Sequence, residues 1–241
     1  MASVAMSVAP GAKIFMIRDA GINVSNQMDL RVPDLTRAIS WVAKNAKTYG
    51  ITSLSISQGS STYPCSNSTS TSVNTDINTL RMAGVPTFLA AGNGSSNSRI
   101  DWPGCSPAAI AVGGLDKAAG STSLPYLPGL PASMSNATPE VDIWALYIWK
   151  TAIPGGGYSI TTGTSNSAAA MNGYWSIVRQ SKPTSTFTEI WNAIIAAGTK
   201  INTTRVSNGI GIDAAAAATK LSGNAVTPVS YTHLTLPTIL L

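Results

Sequence analysis

The residues best equipped for chemistry lie in two stretches poor in bulky side chains, residues 163–173 (GTSNSAAAMNG) and 84–94 (GVPTFLAAGNG). In the first, Ser165 follows Gly-Thr and precedes a run of small residues able to open a helix. A hydroxyl so placed is either a helix N-cap or a nucleophile. Small neighbours let the backbone turn tightly and a substrate approach, and a helix N-terminus favours a developing oxyanion. In the second stretch Asn93 closes an apolar run, and the Asn-Gly pair by itself reads as a turn after a strand. A serine hydroxyl is a poor nucleophile near neutral pH without a base, and the chain has one histidine, His233. The two cysteines, Cys65 and Cys105, cannot form a structural zinc site by themselves; one disulfide or two buried thiols both fit.

These groups need a scaffold, and hydrophobic patterning supplies one. Residues 14–17 form a short apolar run expected to be the first core strand. Asp34 is expected to cap a helix whose apolar positions Leu35, Ala38, Ile39, Val42, Ala43 and Ala46 recur at helical spacing, with Gly50 just past its end. Residues 51–56 read as a strand, 73–82 as a helix, 87–91 and 108–112 as strands, and 141–145 as another. A Gly-rich hairpin over 154–158 precedes the helix opened near Ser165. Thr186 and Glu189 have capping-box spacing before a helix over 190–197 that Gly198 ends, and a last helix covers 213–221. Residues 60–75 and 94–98, rich in Ser, Thr, Asn and Gly, are expected as surface loops. Alternating strands and helices predict an α/β fold with a parallel sheet.

Composition narrows the function classes. Charged residues make up only 10% of 241 and hydrophobic residues 44%, so Ser, Thr, Asn and Gly must supply the polar surface, as in many extracellular hydrolases. The formal charge of +5 comes from basic residues scattered singly, which argues against a nucleic-acid site. No run reaches the roughly 20 apolar residues of a membrane span, and the first residues do not read as a signal peptide. Residues 1–228 read as one domain. Residues 229–241 (VSYTHLTLPTILL) contain a stretch that resembles the conceptual translation of a sequencing adapter, and they are set aside together with His233.

The two stretches, with others in matching order, carry a family resemblance. VAPGAKI at 8–14, SISQG at 55–59, DWPGCSPAAIAVGGLD at 101–116, SMSNATPEVDIWA at 133–145 and SNGIGIDAAAAA at 207–218 accompany them, so the likeness runs over residues 8–221. Together they resemble the catalytic domain of subtilisin-like serine proteases (subtilases, peptidase S8), which implies a three-layer α/β fold with a mostly parallel sheet flanked by helices. The resemblance places Ser165 as nucleophile, beside Thr164, and Asn93 as oxyanion donor. Ser57, Gln58 and Gly59 would pair with the substrate backbone as an added strand, and Ala90, Ala91 and Gly92 would line the opposite wall of the specificity pocket. Walls this small suggest a large apolar substrate side chain. Cys65 and Cys105 stand where secreted relatives pair cysteines; a bridge closing that loop would contribute about 3–4 kcal/mol and imply an oxidising compartment. Calcium is frequent in the family, although no full oxygen cage maps onto this sequence.

The pattern also departs from the family. The strand bearing the catalytic Asp and the helix bearing the catalytic His would precede residue 8, so the chain reads as the C-terminal portion of such a domain. Its N-terminal strands would be missing and it would be nearly inert by itself, with poor solubility from exposed apolar edges. Asp19 is read as a solvated loop acid. Asn166 and Ala169 stand where Met and Pro are usual, and residues 145–147 read Ala-Leu-Tyr in place of Ala-Pro-Gly. These changes keep open a second class, a catalytically dead module binding peptides along 57–59. A sedolisin-type acid peptidase fits less well, since that family places Asp where Asn93 stands. A monomer with peptide or protein substrates, in a secreted setting, completes the expectation.

Overall fold

The computed structural model describes the chain except residues 23–24, 26–27, 64–67, 123–127 and 224–241. The first half contains α1 (Ala2–Val8), β1 (Ala20–Ile22), β2 (Met28–Leu30), α2 (Val32–Tyr49), β3 (Leu54–Ile56), α3 (Ser68–Met82), β4 (Thr87–Ala90) and β5 (Ile110–Lys117). Then come β6 (Pro128–Pro131), β7 (Ile143–Leu146), β8 (Ile148–Ala152), β9 (Tyr158–Thr162), α4 (Thr164–Ser181), α5 (Phe187–Ala197), β10 (Thr199–Ile201), β11 (Gly209–Gly211) and α6 (Ala214–Ser222).

One sheet organises the molecule in the order β10-β11-β7-β5-β4-β3, with β6 added beside β5. Pairs β3–β4, β4–β5, β5–β7 and β7–β11 are parallel, while β10 and β6 join antiparallel. Side chains alternate across such a sheet. Phe88, Val112, Ile143 and Ala145 pack against Ala168, Met171, Trp175 and Val178 of α4, with α5 and α6 behind. On the other face Ile56 and Leu89 meet Leu35 and Ile39 of α2 and Val73 and Ile77 of α3. The outcome is the expected three-layer α/β arrangement, with α4 deeply buried where Ser167, Ala168, Ala169, Ala170 and Gly173 keep its surface small.

Several local expectations hold. Gly50 closes α2 in the left-handed conformation, with φ +63°. The capping box is complete: Thr186 Oγ1 accepts from Glu189 N at 3.3 Å, and Glu189 Oε2 accepts from Thr186 N at 2.7 Å. The hairpin exists as β8–β9 around the turn at 153–157.

Others are corrected. Residues 14–17 are not a strand; Phe15 stacks on Trp41 of α2 at 5.4 Å between ring centroids and Ile17 packs beside Val42, while Met16 stays exposed. A four-residue apolar run specifies burial but not a hydrogen-bonding partner, so its pattern could not tell these outcomes apart. Asp34 is not the cap of α2, whose N-cap is Arg31 with a proline in the first turn. The helix starts earlier because Pro33 suits its opening positions, and Asp34 instead pairs with Arg31 and Arg37 at the positive end of the helix dipole. Residues 68–72, expected only as loop, belong to α3, which starts before the expected position 73. Its apolar positions Val73, Ile77 and Leu80 are fully buried, so packing overrides the low helix propensity of Ser and Thr. Helix α1 was not foreseen; it lays Val4 against Leu146, Trp149, Ala169 and Ala170.

Candidate active site

The start of α4 sets the geometry. Its N-cap, Gly163, has φ +148°, a conformation that L side chains rarely adopt. Of the first amide groups, Thr164 N donates to Asn93 Oδ1 at 2.9 Å and Asn166 N donates to Gly163 O at 2.9 Å. Between them, Ser165 N finds no acceptor among the described residues and stands at the positive end of the helix.

Asn93 is exposed but firmly oriented. Its Oδ1 also accepts from the hydroxyl of fully buried Thr164 at 3.1 Å, and that hydroxyl in turn accepts from Gly92 N at 3.2 Å. With the oxygen doubly held, Nδ2 remains the outward donor, 3.6 Å from where a Gly163 Cβ would lie. Ser165 is half-buried. Its Oγ donates to Ser57 O at 3.0 Å, while Ser57 Oγ donates to Ser165 O at 2.9 Å. Ser165, Asn93, Thr164 and Ser57 thus converge from residues far apart in the chain.

The remaining expected residues divide. Gln58 Nε2 donates to Asp19 Oδ1 at 2.9 Å, which corrects Asp19 from a free solvated acid to a partner of the 57–59 segment. Gly59 lies beside Ser60, which exchanges hydrogen bonds with Trp102 at 2.8 and 3.0 Å. Gly92 is buried with φ +108°. Ala90 and Ala91 turn their methyl groups into the two main cores, so only their backbone faces the site. Cys105 is disulfide-bonded; Cys65 lies outside the described residues. Among the described residues no group of three or more His, Cys, Asp or Glu side chains is placed to hold a metal ion.

Two residues escaped sequence reasoning. Asn136 is fully buried and ties the Asn93 loop together: its Oδ1 accepts from Gly94 N at 3.1 Å and Ser96 N at 2.9 Å. Its Nδ2 donates to Ala91 O at 2.9 Å and to Asp101 Oδ1 at 3.2 Å. Burial pushes the Asp101 carboxyl above the ordinary carboxylate range, against the opposing effects of the Asn136 bond and of the Arg99 charge. Both residues fall in stretches that carry the resemblance, yet only their spatial meeting reveals the link. The departure at 166 also has a structural account, because Asn166 Nδ2 reaches Thr161 O at 3.0 Å and Tyr147 O at 3.3 Å and fastens α4 to the hairpin.

A serine hydroxyl, a helix-terminal amide with no acceptor among the described residues and a pinned carboxamide thus lie together beside a parallel sheet, and residues 2–212 match the sequence model of the subtilase family, Peptidase_S8. The chain belongs to the subtilase family. Solved structures agree on the fold of this subtilase. A lanthipeptide protease aligns with TM-score 0.71 and 15% identity, covering 90% of this chain and 73% of that one. The prenylagaramide maturation protease PagA aligns with TM-score 0.65 and 22% identity over 84% and 72% of the two chains. A cold-adapted subtilisin-like serine proteinase gives 0.61 and 21% over 79% and 63%. No match was found among curated protein sequences. As a subtilase, the chain belongs among serine proteases, whose substrates are peptides or proteins.

Proposed function

We propose that this chain carries the acylation half of a subtilisin-type endopeptidase site. Ser165 Oγ attacks the scissile carbonyl carbon while a base takes the hydroxyl proton, the base hands that proton to the nitrogen of the breaking C–N bond, and the amine leaves to give an acyl-enzyme. Asn93 Nδ2 and Ser165 N hold the oxyanion. The observation that carries this reading is a Ser165 amide with no acceptor among the described residues, next to an Asn93 whose oxygen is already committed to Thr164. Among the described residues no imidazole or carboxylate accepts from the Ser165 hydroxyl, which donates to a carbonyl instead. With no base at its hydroxyl, Ser165 acts slowly as a nucleophile near neutral pH. Cys105, being disulfide-bonded, supports an oxidising compartment.

The same carbonyl partner favours a second reading, a subtilase module that binds peptides without cleaving them. A fluorophosphonate label with added imidazole separates the two. Under the proposal, labelling maps to Ser165, accelerates with imidazole as external base and vanishes in Ser165→Ala. Absence of labelling at any imidazole concentration, with peptide still bound, would favour the binding module.

A further inference from the structure

We propose that Asp101 makes the cleft beside Ser165 selective for peptides with a cationic side chain on the acyl side of the scissile bond. This rests on the endopeptidase site proposed above, with the substrate seated in the cleft between segments 57–59 and 90–92, and adds the class of side chain admitted.

The two flanks of the cleft are both glycine where they face Asp101. A Cβ on Gly59 would lie 3.3 Å from Asp101 Cβ and 3.0 Å from Trp102 O, and a Cβ on Gly92 would collide with Asp101 Oδ2. The carboxylate therefore spans the gap between segment 57–59, which holds the Ser165 hydroxyl, and segment 90–92, which leads into Asn93. It is fixed there: Asp101 N donates to Ala91 O at 3.0 Å, and Trp102 is bridged to Ser60 in both directions.

Only one carboxylate oxygen is used. Oδ1 accepts from Asn136 Nδ2, while Oδ2 takes no partner among the described residues. Arg99, the charged group that acts on Asp101, is exposed and makes no ion pair with any described residue. A half-buried carboxylate so placed is under-compensated. An apolar substrate side chain would strip water from Oδ2 and return nothing, whereas a guanidinium or ammonium supplies charge-assisted hydrogen bonds. Charge thus overrides the apolar preference that small walls alone suggest.

Three fluorescein-labelled peptides, identical except for arginine, citrulline or norleucine at that position, test this by fluorescence anisotropy on the whole chain, with no turnover needed. The arginine peptide is expected to bind about tenfold tighter than its neutral isostere citrulline. Asp101→Asn, which keeps an acceptor for Asn136, is expected to bring the two within about twofold. Equal binding of arginine and citrulline by the parent chain, or a preference surviving in Asp101→Asn, overturns the assignment. The parent comparison decides even where the variant fails to fold. A norleucine preference refutes the role of Asp101 but leaves the cleft reading standing; binding of none of the three refutes both.

Discussion

Replacing Asn136 by alanine removes four hydrogen bonds from a site with no solvent exposure. The Gly94 and Ser96 amides lie near the surface, so water recovers part of their loss and each costs about 1 kcal/mol, at the low end for an orphaned donor. Ala91 O keeps its bond from Asp101 N, so the lost amide donor there adds about 1 kcal/mol. With the weakened Asp101 bond and the space left by the carboxamide, the total is about 3–5 kcal/mol. Urea unfolding followed by tryptophan fluorescence should show a lower midpoint with an unchanged slope. Because the freed loop carries Asn93, labelling of Ser165 should slow as well. A loss below about 1 kcal/mol would refute the claim that this side chain organises the loop. Asn136→Asp sharpens the test: two carboxylates then face each other, so its deficit should be larger at neutral pH than under acid conditions, where a shared proton relieves the repulsion.

Thr164→Val keeps the shape but deletes a buried hydroxyl that both accepts and donates; it should cost about 1–3 kcal/mol and slow labelling of Ser165, whereas unchanged labelling would mean that Asn93 is oriented by other contacts. The backbone and side-chain hydrogen bonds from Thr186 hold the Glu189 carboxyl below its usual value of 4.5. A lowered acid pKa stabilises the fold above the unfolded-state value and ceases to do so as pH falls through the folded one. The Tm advantage of the parent over Glu189→Ala should therefore be full near neutrality and shrink on acidification below about pH 4.5; an advantage independent of pH would show that the capping carboxylate is not its source.

The α/β class, the caps of α5 at Thr186 and Gly198 and the C-cap of α2 were legible in the sequence because each depends on local patterning, and the short small-residue motifs singled out Ser165 and Asn93, which the fold brings together through Thr164. Residues 14–17 and Asp34 were misread for a related reason. An apolar run or a capping residue states what a segment tolerates, and competing partners elsewhere decide what it does. Tertiary structure alone decided that Asn136 and Asp101 meet beside Gly92, from positions 35 residues apart. No local pattern encodes such a meeting, since it depends on how parallel strands bring distant loops to the same edge of the sheet. The family of this chain is thus written in its motifs, while the meeting of Asp101 with Asn136 became visible only once the chain was folded.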